Sequence, residues 1–547
     1  MSQKREHWSG KLGFILAASG SAVGLGNLWK FPYITWQNGG GLFVLIYLLC
    51  ILLIGLPIMI AEIALGKISS RDPVGAFDFV SKRKTRFRYV GILGVLSAFV
   101  ILSFYSVVAG WSIEYSIKSI SSDFKSIPYE SYKEALTDDR KVKALQKAVF
   151  EEALTQPLTD IEKREILHAA LSQKTIQQMP FDEINELFKK EKKNLISLLK
   201  ENKQIETWQN YFLAKRSKRK DFNEFMHKTL LPVYSSSLFA DFLNNWPKVS
   251  LWHLIIMSIC LLIVSSGIKK GIEKTTKFLM PLLLLLMFFM MINSLMLDKE
   301  QEGVKFLLFG DPGKLHGLSI PEAMGHAFFT LSLGMGAMLT YGSYMKKDSD
   351  VVSDALWVTG LDTLIALIAC MMIFPIIFVY GLEPTSGGIG ILFTTLPLEL
   401  FKFSYGYLLA PLFYILVFLA ALTSAISLLE VAVTYLKDEW NLDRDKASLI
   451  AAGAIFLVGI PSAISVSFME YPDALSTNIM LPLGGLLIAI FMGHKAEKTL
   501  LENEFIKHKY PKWSFDVFYF TLRYITPALV TIVFIFLLSD LVKKIVS

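Results

Sequence analysis

Two apolar stretches of this sequence contain clusters of glycines and small polar residues. The first, SAVGLGNLWKFPY, includes Gly24, Gly26 and Asn27, and the second, FFTLSLGMGAM, includes Gly334 and Gly336. In a bilayer, backbone groups that leave a helix are tolerated only where they line a cavity or are buried in protein. Freed carbonyls and hydroxyls are the oxygen ligands that hard cations prefer, and a half-helix N-terminus favours an anionic group. The two stretches therefore indicate a polar site inside the membrane.

Close helix packing is the alternative explanation for such glycines, and it is sufficient for either stretch taken alone. However, the two interruptions fall in the first and the sixth apolar segments. Paired interruptions at corresponding positions of two halves are typical of a transport site formed by an inverted repeat. The pair together favours that interpretation.

The elements that position this site are membrane helices. Apolar residues make up 53% and charged residues 19% of 547 positions, and the mean hydropathy is +0.46. About 20 apolar residues cross a bilayer core. Eleven spans are predicted, at roughly 11–36, 41–66, 88–116, 249–267, 275–297, 320–344, 353–381, 405–436, 446–466, 474–494 and 515–540.

The cysteines and the N-terminus fit a polytopic membrane protein. Cys50, Cys260 and Cys370 all fall inside spans, which predicts packed free thiols and not disulfides. The first span is long and lacks a small-residue cleavage site, so we expect a retained helix and not a signal peptide.

Lysine and arginine are distributed unequally between the two sides of the predicted spans. The short segments on the side of the N-terminus contain 24 of these residues, and the short segments on the opposite side contain six. Since positive loops stay inside, the N-terminus is expected in the cytoplasm and the C-terminus outside. The net charge of +7 follows from this topology and gives no reason to expect nucleic acid as a partner.

A long charged segment, 118–248, separates the third and fourth spans and is expected outside. It contains 23 Lys and Arg and 19 Asp and Glu. Thr159 and Glu162 have the spacing of a capping box. Further apolar positions form a helical stripe: Ile184, Leu187, Phe188, Leu195 and Leu199. The predicted domains are therefore helices 1–3 in 1–117, a helical extracellular or periplasmic insert in 118–248, and helices 4–11 in 249–547, with an insert partner that the sequence does not identify.

The sequence REHWSGKLGFILAASGSAVGLGNLWKFPY resembles the first helix of the neurotransmitter:sodium symporters. FFTLSLGMGA, FLAALTSAISLLE and LSTNIMLPLGG resemble their sixth, eighth and tenth helices. The resemblance covers the chain outside the insert and is strongest to the bacterial amino-acid transporters. It implies the leucine-transporter fold, an all-α membrane protein of eleven transmembrane helices with an inverted five-helix repeat and discontinuous helices 1 and 6. It also implies sodium-coupled symport of neutral, hydrophobic amino acids by alternating access in the bacterial inner membrane.

The resemblance implies two sodium sites built from oxygen ligands. The first would use Ala22, Asn27, Thr330 and Asp362 with the substrate carboxylate. The second would use carbonyls of Gly20, Val23 and Ala420 and the hydroxyls of Thr423 and Ser424. Such ligands bind a cation without the cost of several buried charges.

The resemblance also implies a substrate pocket. The hydroxyl of Tyr105 and the amides of Leu25 and Gly26 would hold the substrate carboxylate. The other expected substrate-binding residues are Ala22, Ile101, Phe329, Ser332, Met335, Ser424 and Leu428. Monoamine transporters of the family have an aspartate where this chain has Gly24, and its absence leaves space for a carboxylate.

Chloride is not expected as a co-substrate. Animal members bind chloride at positions that match Tyr47, His326, Thr330, Asp362 and Ala366, with Asn usual at the fourth. Asp362 supplies a fixed negative charge there, which could both ligate sodium and replace the anion.

The resemblance further implies gates. An outer gate would pair Lys30 with Asp473, although lysine replaces the usual arginine and cannot form a planar fork. An inner gate would pair Arg5 with Asp438, near Trp8, Ser343 and Tyr344. Glu62 would hold unwound backbone. Gly271 and Pro281 have the spacing seen in relatives whose fifth helix unwinds during inward release.

Three other functions are alternatives to sodium-coupled transport. A transport-inactive amino-acid sensor or binding protein would keep the pocket and add a signalling domain, but the cytoplasmic ends are short. An intramembrane enzyme would need a nucleophile with a base, or a metal cluster, whereas the spans offer only scattered His7, His326 and Glu430. A channel could share the cavity, and countertransport would distinguish it from a carrier. The preferred amino acid, the stoichiometry and counter-ion, and the oligomeric state are not determined by the sequence.

Overall fold

The structure is a computed structural model. It describes residues 5–121, 150, 153–154, 158–171, 176, 179–191, 194, 197–199, 209, 212, 238–297, 300–380, 391–400 and 405–546. The chain divides into two compact units, one of Met1–Ser121 with Asp241–Ser547 and one of Ser122–Ala240. We call them the membrane unit and the insert unit and describe each by itself.

The described part of the membrane unit consists of helices and connecting segments. In chain order its helices are α1 (Lys11–Ala22), α2 (Gly26–Gln37), α3 (Gly41–Ser69), α4 (Pro73–Val80), α5 (Arg88–Ile120), α6 (Trp246–Ser265), α7 (Ile268–Leu295), α8 (Glu300–Leu308), α9 (Ser319–Thr330), α10 (Ala337–Gly342), α11 (Val351–Tyr380), α12 (Leu396–Leu400), α13 (Gly406–Glu439), α14 (Arg444–Ile464), α15 (Val466–Lys495), α16 (Lys498–Lys507) and α17 (Lys512–Phe536).

Nine helices among the described residues are long and apolar enough to cross a membrane, and the bent pair α1 and α2 raises the number to ten. The expected sixth span is divided into α9 and α10, with residues 331–336 between them. The total of eleven spans therefore stays a prediction. The three cysteines are free and buried, as predicted.

Polar side chains cap the starts of several helices. Before α4, the carboxylate of Asp72 accepts hydrogen bonds from the N–H groups of Val74 at 2.8 Å and Gly75 at 3.2 Å. Before α15, Ser465 Oγ accepts one from Phe468 N–H at 3.3 Å. These caps satisfy N–H groups that lack a partner within the helix and so fix where each helix begins.

Helix α13 lies in the core of the membrane unit. It contacts α1, α5, α7 and α14, and its middle part is buried. Helix α10 lies close to α3, where an ideal β-carbon at Gly66 would be 2.0 Å from the carbonyl oxygen of Leu339. Glycine is therefore required for this backbone approach, which holds the second half of the divided span in place.

The insert unit has a hydrophobic core of its own. Its helices include Asp160–Leu171 and Phe181–Glu191. The predicted capping box is present, because Thr159 N–H donates to Glu162 Oε2 at 3.0 Å and Glu162 N–H donates to Thr159 Oγ1 at 3.3 Å. Of the predicted apolar stripe, Ile184, Phe188 and Leu199 are buried and Leu187 packs against them, whereas Leu195 lies outside the described residues.

Candidate functional site

The chain leaves the helical conformation between α1 and α2. Val23 has extended backbone angles (φ −75°, ψ 103°), helical angles return at Leu25, and the two helices are bent by 52°. Leu25 N–H donates to Tyr105 Oη at 3.0 Å, and Gly24 N–H donates to Asn27 Oδ1 at 3.1 Å. Since buried backbone groups need such partners, these contacts stabilise the break.

A second break separates α9 from α10. Ser332, Gly334 and Gly336 have positive φ angles of 53°, 75° and 75°. Gly334 N–H donates to Glu62 Oε1 at 2.7 Å, so Glu62 holds unwound backbone as the resemblance implied. A β-carbon at Gly334 would lie 2.3 Å from the carbonyl oxygen of Leu481, so only glycine fits there.

The oxygens expected at the second sodium site converge on the first break. Ser424 Oγ lies 3.4 Å from the carbonyl oxygen of Gly20, 3.3 Å from that of Val23 and 3.4 Å from that of Ala420. Thr423 Oγ1 lies 3.0 Å from the Ala420 carbonyl oxygen. Three carbonyls and two hydroxyls therefore meet in one buried place, which is an all-oxygen donor set suited to a hard cation.

The expected first sodium site is centred on a buried carboxylate. Asp362 Oδ1 accepts hydrogen bonds from Asn27 Nδ2 and Thr330 Oγ1, each at 2.8 Å. Asp362 Oδ2 is buried without a hydrogen-bond partner among the described residues. A buried charge without a partner is costly, and a bound cation would supply that partner. The Asp362 carboxylate therefore suits a sodium ion, whereas Asn27 directs its amide N–H group at Asp362 and its Oδ1 accepts from Gly24 N–H.

The two breaks enclose a cavity. It is lined by Ser21, Ala22, Gly24, Gly26, Ile101, Tyr105, Phe329, Thr330, Ser332, Met335, Ser424 and Leu428. This set contains every predicted substrate-binding residue except Leu25, whose N–H contacts the Tyr105 hydroxyl. The wall is mostly apolar, with a few polar groups at the breaks, as in small-molecule sites generally.

Gly24 faces the most crowded part of this cavity. An ideal β-carbon there would lie 2.6 Å from Ser424 Oγ and 2.8 Å from Tyr105 Oη. Any side chain at this position would displace the two hydroxyls, so the glycine keeps that end of the cavity open.

Serine hydroxyls beside the cavity connect α1 with α13 and with the break between α9 and α10, and sequence reasoning missed this arrangement. Ser21 Oγ donates to Ser427 Oγ at 2.7 Å, and Ser332 Oγ donates to the carbonyl oxygen of Ser21 at 2.9 Å. Because hydroxyls in membrane helices usually bond to the preceding turn, their types alone gave no signal. The contacts link the first break to the second and to α13.

At the N-terminal end of the membrane unit, the ion pair expected at the inner gate is present. Arg5 forms an ion pair with Asp438 and also donates to Ser343 Oγ. Trp8 Nε1–H donates to the carbonyl oxygen of Tyr341 at 2.9 Å, and Trp8 is buried. The N-terminal segment is thus fastened to α10 and α13.

A second ion-pair network at the same end was missed by sequence reasoning. Arg444 Nη2 lies 2.6 Å from Glu430 Oε2, and Arg444 Nη1 lies 3.6 Å from Glu6 Oε1. Tyr344 Oη donates to Glu430 Oε1 at 2.6 Å. Glu430 inside an apolar span was the signal in the sequence, because a charge in a membrane span needs a partner. The sequence does not show that this partner is Arg444.

Asp72 adds a titratable group beside this gate. Its N–H donates to Asp438 Oδ2 at 3.0 Å. Burial, together with the charges of Asp438 and Glu439, raises the pKa of the Asp72 carboxyl from 3.8 to about 7, although its helix-capping bonds from Val74 and Gly75 lower it. Because this folded-state pKa exceeds the unfolded value, Asp72 contributes stability at low pH that is lost as pH rises through about 7.

The expected outer gate is not formed in this structure. Lys30 Nζ lies over the Phe329 ring, 5.0 Å from its centroid, and Asp473 Oδ1 accepts from Thr477 Oγ1 at 3.2 Å. The structure shows no ion pair between Lys30 and Asp473, both of which it describes. The pairing of these two residues stays a prediction.

The positions that match the chloride site of animal relatives lie together. The ring of His326 stacks on Phe31 at 5.2 Å between centroids and lies 5.6 Å from the ring of Tyr47. Neither ring nitrogen of His326 has a hydrogen-bond partner within the described ranges. Ala366 is buried on α11, one turn after Asp362.

Helix α7 continues without interruption through Gly271 and Pro281 in this structure. A β-carbon at Gly271 would lie 1.9 Å from the carbonyl oxygen of Ile263, so α7 and α6 pack closely there. The unwinding expected from this pair of residues is untested.

The family model for the sodium:neurotransmitter symporter family matches residues 5–178 and 166–545. The uncharacterized sodium-dependent transporter YhdH of Bacillus subtilis is 29% identical over 551 residues, covering 98% of this chain and 99% of the relative. The sodium-dependent nutrient amino acid transporter 1 of Drosophila erecta is 25% identical over 468 residues, covering 84% of this chain and 66% of the relative.

A solved structure has a similar fold. The crystal structure of MhsT in complex with L-phenylalanine matches with a TM-score of 0.73 and 32% identity, covering 97% of this chain and 99% of that one. The agreement of sequence and fold extends over nearly the whole chain.

Proposed function

Because the chain belongs to the sodium:neurotransmitter symporter family, a family of transporters and not of enzymes, we propose that it imports neutral, hydrophobic amino acids together with sodium by alternating access. One observation carries the proposal. The Tyr105 hydroxyl and the Leu25 N–H, which donates to it, lie beside Gly24 at one end of a mostly apolar cavity. A carboxylate needs such donors, and an apolar side chain needs such a wall.

The substrate carboxylate would lie at the first break. In this structure Leu25 N–H donates to Tyr105 Oη at 3.0 Å. A bound carboxylate would replace Tyr105 Oη as the acceptor of this N–H and would also accept from the Tyr105 hydroxyl. The N–H of Gly26, at the start of α2, supplies a further donor. The positive end of the α2 dipole favours an anionic group at the same place.

The substrate side chain would contact the apolar wall formed by Ile101, Phe329, Met335 and Leu428. The flexible thioether of Met335 can adapt to aromatic or aliphatic side chains. The complex of the similar protein MhsT with L-phenylalanine supports a hydrophobic amino acid as the substrate class.

Two sodium ions are the proposed co-substrates. The first would bind at Ala22, Asn27, Thr330 and Asp362, where the substrate carboxylate completes the ligands. This shared ligand couples the binding of ion and amino acid, because each is bound more tightly when the other is present. The second would bind at Gly20, Val23, Ala420, Thr423 and Ser424 and hold α1 against α13.

Chloride is not needed in this proposal. Asp362 provides a fixed negative charge next to the first sodium ion, with Oδ1 already held by Asn27 and Thr330. A second anion would add repulsion to a site that one carboxylate already balances.

Alternating access would require the two ends to open in turn. The inner end would open when the Arg5–Asp438 pair separates and the N-terminal segment moves, with unwinding of α7 near Gly271. The outer end would close when Lys30 moves from the Phe329 ring to Asp473. We place the protein in the bacterial inner membrane with the N-terminus in the cytoplasm, on the strength of the lysine and arginine distribution.

A binding screen tests the proposal. Purified protein would be heated with each of the twenty amino acids in sodium or in potassium, since a ligand that binds the folded state raises the unfolding temperature. We expect stabilisation by neutral, hydrophobic amino acids in sodium only. Stabilisation by none of the twenty in sodium would contradict the proposal, and binding without counterflow in proteoliposomes would favour a sensor instead.

A further inference from the structure

A second cavity, of about 340 Å³, lies at the N-terminal end of the membrane unit, away from the transport site. Its charged lining comes from α1, from the segment before α11, from the start of α11 and from the segment after α16. The groups are Lys11, Lys346, Asp348, Asp350, Asp354 and His508. Ammonium and carboxylate groups thus face one space, which is suited to a ligand that carries both charges.

Asp354 is a buried carboxylate in this cavity. The residue is 1% exposed, and its Oδ1 forms an ion pair with Lys11 Nζ at 3.5 Å but accepts no hydrogen bond from the described residues. Lys11 Nζ donates its hydrogen bond to Ser353 Oγ at 2.7 Å. The oxygen can therefore accept a hydrogen bond from a further donor beside Lys11.

An apolar groove of about 410 Å³ runs along α11 beside the cavity. Ser353, Trp357, Gly360 and Leu364 line it at helical spacing, and therefore lie on one face of α11. Trp357 is 57% exposed and Leu364 is 46% exposed. No atom lies within 4 Å of an ideal β-carbon at Gly360, so the groove is open there.

The groove and the cavity meet at the first turn of α11. Ser353 lines the groove and is bonded to Lys11 of the cavity. Tyr510 also lines the groove, and its hydroxyl donates to Asp350 of the cavity at 2.9 Å. Side chains of the apolar groove and of the charged cavity are thus bonded to each other at the first turn of α11.

We propose that this combined site binds one phosphatidylethanolamine molecule. An acyl chain lies along the groove over Gly360, the phosphate pairs with Lys11 and Lys346, and the ammonium donates to Asp354. Phosphatidylcholine fits less well because its quaternary ammonium has no N–H to donate to Asp354. Phosphatidylglycerol fits less well because it brings no cation to the three aspartates.

Native mass spectrometry of the full chain tests the proposal. Detergent-purified protein would be titrated with phosphatidylethanolamine, phosphatidylcholine and phosphatidylglycerol of identical acyl chains. The wild type should bind one molecule of phosphatidylethanolamine with roughly tenfold preference over each of the others, the ratio expected for one charge-assisted hydrogen bond. Equal binding of the three lipids, or a preference for phosphatidylglycerol, would overturn the assignment.

Two variants locate the site. Gly360→Phe fills the groove and should abolish the tightly bound molecule. Gly453→Phe is the matched control, because Gly453 is also an exposed glycine of a membrane helix with no atom within 4 Å of an ideal β-carbon. This control should bind as the wild type does. Asp354→Asn should remove the preference over phosphatidylcholine. Retained tight binding in Gly360→Phe, or unchanged selectivity in Asp354→Asn, would contradict the proposal.

Discussion

Gly24 has no side chain at the point where Tyr105 and Ser424 approach the break in the first span. Gly24→Asp places a carboxylate where the substrate carboxylate would bind, so we expect amino-acid binding to be lost. Gly24→Ala measures the effect of volume alone, since its β-carbon meets the same two hydroxyls. Calorimetric titration compares the two variants. Wild-type affinity in Gly24→Asp, or equal losses in both variants, would contradict the charge argument.

The Tyr105 hydroxyl is the proposed side-chain donor to the substrate carboxylate. Tyr105→Phe should weaken binding by about 1.5 to 3 kcal/mol, the range for a hydrogen bond to a charged group. Tyr414→Phe is the control, because the Tyr414 hydroxyl is also buried and bonded, at 2.6 Å to the carbonyl oxygen of Leu392, but does not line the cavity. A wild-type dissociation constant for Tyr105→Phe would exclude this position for the carboxylate.

The proposal that transport does not require chloride depends on Asp362. We expect wild-type uptake to be unchanged when gluconate replaces chloride at constant sodium. Asp362→Asn removes the fixed charge and should either abolish sodium-dependent binding or create a chloride requirement. Asp354→Asn, which alters another buried carboxylate two turns earlier on α11, should do neither. Collapse of wild-type uptake in gluconate would show that the role given to Asp362 is wrong.

At the scale of elements, the helix breaks could be predicted from sequence and their partners could not. Gly24, Gly26, Gly334 and Gly336 identify both breaks, because clustered glycines weaken a helix wherever it lies. The bond from Ser21 to Ser427 joins residues 406 positions apart, and a hydroxyl gives no indication of a partner so distant. A helix break depends on the residues next to it in the sequence, whereas the hydrogen-bond partner of a hydroxyl depends on how the helices pack.

The network around Arg444 gives a prediction for the stability of the membrane unit at the end where its N-terminal segment lies. Arg444→Gln leaves Glu430 buried without its cation, which should destabilise the fold by about 3 to 5 kcal/mol. The double variant Arg444→Gln with Glu430→Gln removes both charges and should recover part of that loss. Thermal unfolding of the two single variants and the double variant measures the coupling. Additive losses would show that the two charges do not stabilise each other.

At the scale of the whole molecule, the two compact units differ in how well the sequence predicts them. In the membrane unit, apolar runs predict where spans begin and end, since the bilayer requires a fixed apolar length. The sixth span was also predicted, at 320–344, and the structure divides it into α9 and α10 at the glycines that the sequence identified. In the insert unit, the capping box at Thr159 was predicted and is present. No fixed apolar length applies to the helices of this unit, so their ends are harder to predict from the sequence.

Sodium-driven uptake tests the central claim most directly. Proteoliposomes containing the full chain would be given an inward sodium gradient and a radiolabelled amino acid chosen as the strongest stabiliser in the binding screen. We predict accumulation above the external concentration, loss of that accumulation when potassium replaces sodium, and loss when an ionophore dissipates the gradient. Accumulation that is equal in sodium and potassium, or uptake that only equilibrates across the membrane, would contradict sodium-coupled symport.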